Sequence, residues 1–172
     1  MRHRISSASP AAATETAGAG DDRRWKALTA RANGVFAARR WAEAEGLYRA
    51  ALAESDTVFD TWCRGRPGGN ADPAPMLVVA TANLAECWLA GGQPDRAADQ
   101  LVALRRRLCA VIESGEARDG VRQQCFLQLR PLVAELVDKL PRAGWRPDQI
   151  EREVEQMRTV ALRYLAKDVT RH

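Results

Sequence analysis

The side chains that most often perform chemistry are scattered so that they cannot act together. Histidine occurs only as His3 and His172, at the two ends of the chain. Imidazole acid–base catalysis and Ser-His-Asp triads therefore have no internal candidate. The cysteines Cys63, Cys87, Cys109 and Cys125 include no C-x-x-C pair, which removes the common zinc and dithiol signatures. Three of them fall in helical segments and are expected as small buried thiols, with only Cys63, beside a Gly/Pro-rich stretch, accessible. Free thiols in this pattern point to a reducing compartment. Glu43 with Glu45, and Glu151 with Glu153, are two apart in helical stretches and so face different ways. Gly65, Gly68 and Gly69 sit in a proline-rich loop with no preceding strand and no G-K-[ST], so no phosphate cradle is expected. These residues predict no catalytic site, no metal and no cofactor; the chain does not read as an enzyme.

The elements around them read as helices. Residues 1–20 lack aromatics and apolar periodicity, and such a stretch cannot repay the entropy of ordering, so a disordered tail is expected. From Asp21 onwards the chain reads as a single domain. A helix over 23–38 is capped by Asp21-Asp22 and buries Trp25, Leu28, Ala32, Val35 and Phe36. A second, overlong helix runs from Trp41 to about Cys63, because Leu47, Tyr48, Ala51, Leu52, Ser55, Phe59 and Trp62 keep a near-helical spacing. Arg64 to Pro75 holds three glycines and three prolines in twelve residues, which predicts a mobile loop. A third helix (75–91) ends at Gly91-Gly92, and a fourth (94–114) opens with Pro94 in its first turn. A fifth (118–140) carries Val121, Cys125, Leu129, Leu132, Leu136 and Leu140, with a kink expected at Pro131. After a break from Pro141 to Arg146, a sixth (147–167) shows the stripe Ile150, Val154, Met157, Ala161, Tyr164 and Leu165. The fold class is all-α: six helices in three antiparallel hairpins.

Composition bounds the partners. A charge of +4 and a pI near 9.2 come from arginines interleaved with acids, so solvated helix faces rather than a nucleic-acid footprint are expected. The densest cluster, Arg105-Arg106-Arg107, is placed near a helix end, where it suits the macrodipole. The first twenty residues have no apolar block of the secretory kind, and no stretch approaches the ~18 apolar residues of a membrane span. No membrane contact is expected, and a bacterial cytoplasm is the natural address.

Two stretches repeat one another. Ala32, Phe36, Ala44, Tyr48 and Ala51 are matched 53 residues later by Ala85, Leu89, Ala97, Leu101 and Leu104. Together with Trp41, Trp88, Gly92 and the phrase Asn83-Leu84-Ala85-Glu86-Cys87-Trp88-Leu89, this pattern resembles the tetratricopeptide (TPR) repeat. Small residues where two helices cross let their axes approach, while bulky ones fill the space between hairpins. The spacing departs from the family, whose repeats follow at about 34 residues, by an insertion of roughly 19. Residues 118–168 do not reproduce the motif and are expected to form a divergent third pair closing the array.

The resemblance implies a stacked, non-catalytic scaffold or adaptor that holds a protein or peptide in a concave groove lined by its odd-numbered helices. The groove residues it implies are Asn33, Phe36, Ala37, Asn83, Glu86 and Leu89, with Arg118 and Arg122 on one face of the fifth helix at the open end. Some members of the family clamp a C-terminal carboxylate with asparagines and cations. Asn33 and Asn83 fall on those asparagine positions, although Thr29 stands in place of the first lysine. Some bacterial secretion chaperones use the same repeats with three contiguous units, which this chain lacks. A different expectation is a homodimer or larger homo-oligomer that associates through Ile150, Val154, Met157, Ala161 and Tyr164 of the last helix.

Overall fold

The computed structural model describes residues 22–66 and 72–169. The stretch expected as a tail, and residues 67–71 of the expected mobile loop, lie outside the described residues. Among the described residues the chain is all-α, without strands. Its helices are α1 (Arg23–Ala37), α2 (Trp41–Cys63), α3 (Pro73–Ala90), α4 (Pro94–Glu113), α5 (Asp119–Leu127), α6 (Leu129–Arg142) and α7 (Pro147–Val169).

Three boundaries differ from the sequence reading, each because of proline. Pro73 and Pro75 belong to the first turn of α3 rather than to the loop, since that turn has no intrahelical use for their missing N–H groups. The expected fifth helix is two helices. Pro131 has no N–H to offer Leu127 and its ring crowds that carbonyl, so the chain tightens at Gln128, whose N–H reaches Cys125 O at 3.1 Å. Pro141 does not begin the break; it sits in the last turn of α6.

One turn geometry ends the first helix of every hairpin. Arg39, Gly92 and Gly144 have φ of 57°, 73° and 83°. The residue after each donates its N–H to a carbonyl five residues back: Arg40 to Val35 at 3.2 Å, Gln93 to Trp88 at 2.8 Å and Trp145 to Leu140 at 3.0 Å. This is the Schellman closure, which needs a left-handed residue and so favours glycine. The turns lie 53 and 52 residues apart. The third hairpin therefore keeps the period of the first two, although its sequence does not repeat their small residues.

Ala32, Ala44, Ala85 and Ala97 are all at 0% exposure. They belong to one core cluster that continues through Leu84, Leu101 and Leu108 to Leu132, Leu136, Leu140 and Met157. Where α3 ends, Gly91 lets Trp41 approach. A Cβ there would stand 3.2 Å from Cys87 O and 3.6 Å from the Trp41 Cβ. α2 packs between α1 and α3, and α4 is the hub that meets α3, α5, α6 and α7. Two arginines fix α4 against helices remote in sequence. Arg107 reaches Asp56 and Asp60 of α2, and the nearly buried Arg105 Nε donates to Glu153 Oε2 of α7 at 2.8 Å.

Candidate functional site

The groove residues expected on the first helix of each hairpin occupy α1 and α3. Asn33 is exposed, and its Oδ1 accepts a hydrogen bond from Tyr48 Oη at 2.7 Å. Phe36 is half-buried, edge-on to Trp41 and Tyr48 at 4.9 and 6.2 Å, and Ala37 is exposed at the end of α1. On α3, Asn83 and Leu89 are half-buried. Glu86 receives a fork from Arg142 of α6, Nη1 to Oε2 at 2.7 Å and Nη2 to Oε1 at 2.6 Å. That hydrogen bonding holds the Glu86 carboxyl below its usual range against the opposing effect of burial, and it raises Arg142 in turn. Lys139 joins the cluster, 3.8 Å from Glu86 and 3.4 Å from Asp138, with a closer bond to Glu135. Glu86 thus fastens α3 to α6, and its carboxylate is already occupied.

The two arginines expected at the open end do not present cations together. Arg118 stands at the N-cap of α5 with extended backbone, outside the helix, so the i,i+4 relation to Arg122 does not hold. Its Nη2 donates to Trp62 O at 2.8 Å. Arg122 is buried. Its Nε donates to Ile112 O at 2.9 Å, Nη1 meets Asp119 at 3.3 Å and the guanidinium lies over Tyr164 at 5.4 Å. It closes the end of α4, satisfying a carbonyl that the helix leaves free. The triplet Arg105, Arg106 and Arg107 is likewise divided. It lies more than a turn before the end of α4, and successive helical residues point about 100° apart. Arg105 and Arg107 are held in the ion pairs to α7 and α2, and only Arg106 is exposed.

Residues 23–172 match the family described as Protein of unknown function (DUF2753). The chain belongs to this family. No curated protein and no solved structure matches it. All seven helices of this DUF2753 chain lie within the matched span. No helix of the described residues is long and apolar enough to cross a membrane.

The thiols of the DUF2753 fold are held protonated at neutral pH. Burial pushes Cys87 up to about 11, with Glu45 adding to it, and Cys125 to about 12. Burial also raises Cys63 and Cys109, against nearby arginines.

A feature missed in the sequence lies between α6 and α7. A trough of about 1030 Å³ is lined by Val137, Pro141, Trp145, Ile150 and Val154, and a smaller stretch of about 430 Å³, lined by Leu127, Val133, Val154 and Ala161, adjoins it at Val154. Val137 stands 52 residues after Ala85, and Ile150 stands 53 after Ala97. Both replace crossing alanines with β-branched residues. The added bulk denies the close approach that alanine permits, and Val137 is left 53% exposed. The signal was present in the repeated Pro-Asp starts at 94–95 and 147–148 and in the glycines at 92 and 144. Of the stripe expected for self-association, Met157 is buried at 1% exposure, while Ile150, Val154, Ala161 and Tyr164 are half-buried.

Proposed function

We propose that this protein is a non-catalytic scaffold of tetratricopeptide-like design that holds a peptide or protein segment against the first helices of its hairpins. The observation that carries the reading is the thrice-repeated unit: helix, left-handed closure at Arg39, Gly92 and Gly144, then a returning helix, at a spacing of 53 and 52 residues. Arrays of such hairpins offer extended surfaces rather than enclosed reaction chambers. The binding surface on this reading runs over Asn33, Ala37, Asn83 and Leu89 and ends at the Glu86–Arg142 fork. The raised thiols and the absence of histidine between His3 and His172 favour binding over catalysis.

Site-specific photocrosslinking tests this. A photoreactive residue placed at Ala37 or at Ala90, both exposed, is expected to capture the same protein from the source cells, and the same group at exposed Gln124 of α5 is not. Equal capture from all three positions, or a partner retained in full by Asn33→Asp with Asn83→Asp, removes this face from consideration.

A further inference from the structure

The α6–α7 end of the molecule is a stacking face altered at chosen points. Ala97, Ala98, Leu101, Val102 and Leu104 of α4 are buried; 53 residues later stand Ile150, Glu151, Val154, Glu155 and Met157 of α7. Acids replace Ala98 and Val102, which suits the end of an array, where further hairpins must not add. The apolar positions between them are kept, and they line the trough. The rim is charged in a polar order. Glu151 lines the larger stretch and Arg130 the smaller, and neither has an ion-pair partner among the described residues. Their neighbours are already committed: Asp148 to Arg146 and Arg152, and Glu155 to Arg158. Leu127, 52% exposed, lines the smaller stretch, and the half-buried Trp145 the larger one.

We propose that this trough docks a second copy of the same chain in a closed two-fold pair. An axis close to Val154, the residue common to both stretches, turns the larger stretch of each copy onto the smaller stretch of the other. Glu151 of one copy then faces Arg130 of the second, twice over, and each exposed Leu127 enters the larger stretch of the opposite copy beside Trp145. An isologous contact of this kind uses the face once and closes, so the pair does not grow into a filament. The surface is separate from the α1–α3 face of the proposed scaffold, and its test leaves that face untouched.

Light scattering on the full chain is expected to give twice the chain mass of 18.9 kDa. Val154→Glu is expected to give the single-chain mass with unchanged helical circular dichroism. Because Val154 is half-buried, two exposed reversals provide a second arm. Glu151→Arg alone and Arg130→Glu alone are each expected to weaken the pair by about tenfold or more, and the two together to restore it. A wild-type chain that remains single at about 100 μM overturns the proposal. So does a dimer indifferent to Val154→Glu and to both reversals, and so does a trough that takes up a foreign protein while the chain stays single.

Discussion

In the first two hairpins the crossing is made by alanine, and in the third by Val137 and Ile150. Ala32 with Ala44, and Ala85 with Ala97, are at 0% exposure in closed interfaces. Val137 and Ile150 look into an open trough. The three hairpins share a turn and nearly the same period, so the difference comes from the two or three extra carbons that valine and isoleucine bring at equivalent places. Close-packed helices tolerate little added volume, and the cheapest response to a larger residue is separation of the axes.

The sharpest way to break this comparison is to enlarge an alanine. Ala85→Leu is expected to destabilise the protein by about 3 kcal/mol or prevent folding, whereas Val137→Leu is expected to stay within about 0.5 kcal/mol. Urea midpoints decide it, and equal losses at the two sites would show that the third crossing is as closed as the second. Next in size is the contact joining the hub helix to the third hairpin. Arg105→Met strands Glu153, whose side chain is 13% exposed, and is expected to cost about 3 kcal/mol. The effect vanishes in the double variant Arg105→Met with Glu153→Leu if the cost is that of an unpaired carboxylate.

The Glu86–Arg142 fork, half in solvent, is a smaller tie between the second and third hairpins. Glu86→Gln is expected to cost about 1 kcal/mol at pH 7. The sign of its pH dependence follows from the lowered carboxyl. Glu86 is ionised in the folded state down to below its reference value of 4.5. The stabilisation is therefore complete above that pH and disappears as the pH falls through the lower folded value. Urea midpoints of the wild type and Glu86→Gln should converge as the pH falls from 4.5 through that lower folded value; a gap that never closes on acidification would mean the fork is not the cause. Smallest is the turn itself. Arg39 adopts the left-handed geometry that glycine supplies in the other two hairpins, so Arg39→Gly is expected to stabilise by about 0.5–1 kcal/mol. A loss on that substitution would mean that the Arg39 side chain contributes something Gly92 and Gly144 do without.

Much of this architecture is legible in the order of residues. Helices α1 to α4 fall within two residues of their expected limits, because Pro94 and Gly91-Gly92 act locally and the apolar periodicity is strong; Asp22 stands at the N-cap of α1 without the expected side-chain capping bond and pairs with Lys26 instead. The crossing alanines are legible as well, since two helices can meet closely only over small side chains. The split at Gln128 is less so: a proline in the middle of a helical stretch can bend or break it, and here α5 and α6 each pack on α4 as separate helices. The candidate site was the least legible part. Arg118 and Arg122 look like neighbouring surface cations until Arg118 is seen outside the helix and Arg122 beneath Tyr164.

The sequence by itself determined the rods, their caps, the period of 53 and the small residues at two crossings, all consequences of backbone sterics and of contacts within a few residues. Tertiary structure alone decided which charges are spent inside the molecule and which remain for a partner. Long side chains such as Arg105, Arg107, Arg122 and Arg142 find their acceptors on helices about fifty residues away or across a tight corner, so only the packed arrangement of axes selects among the acids within reach. The same arrangement turned a third hairpin with unchanged spacing into an open trough, because whether two helices close depends on the volume that both bring to the place where they meet.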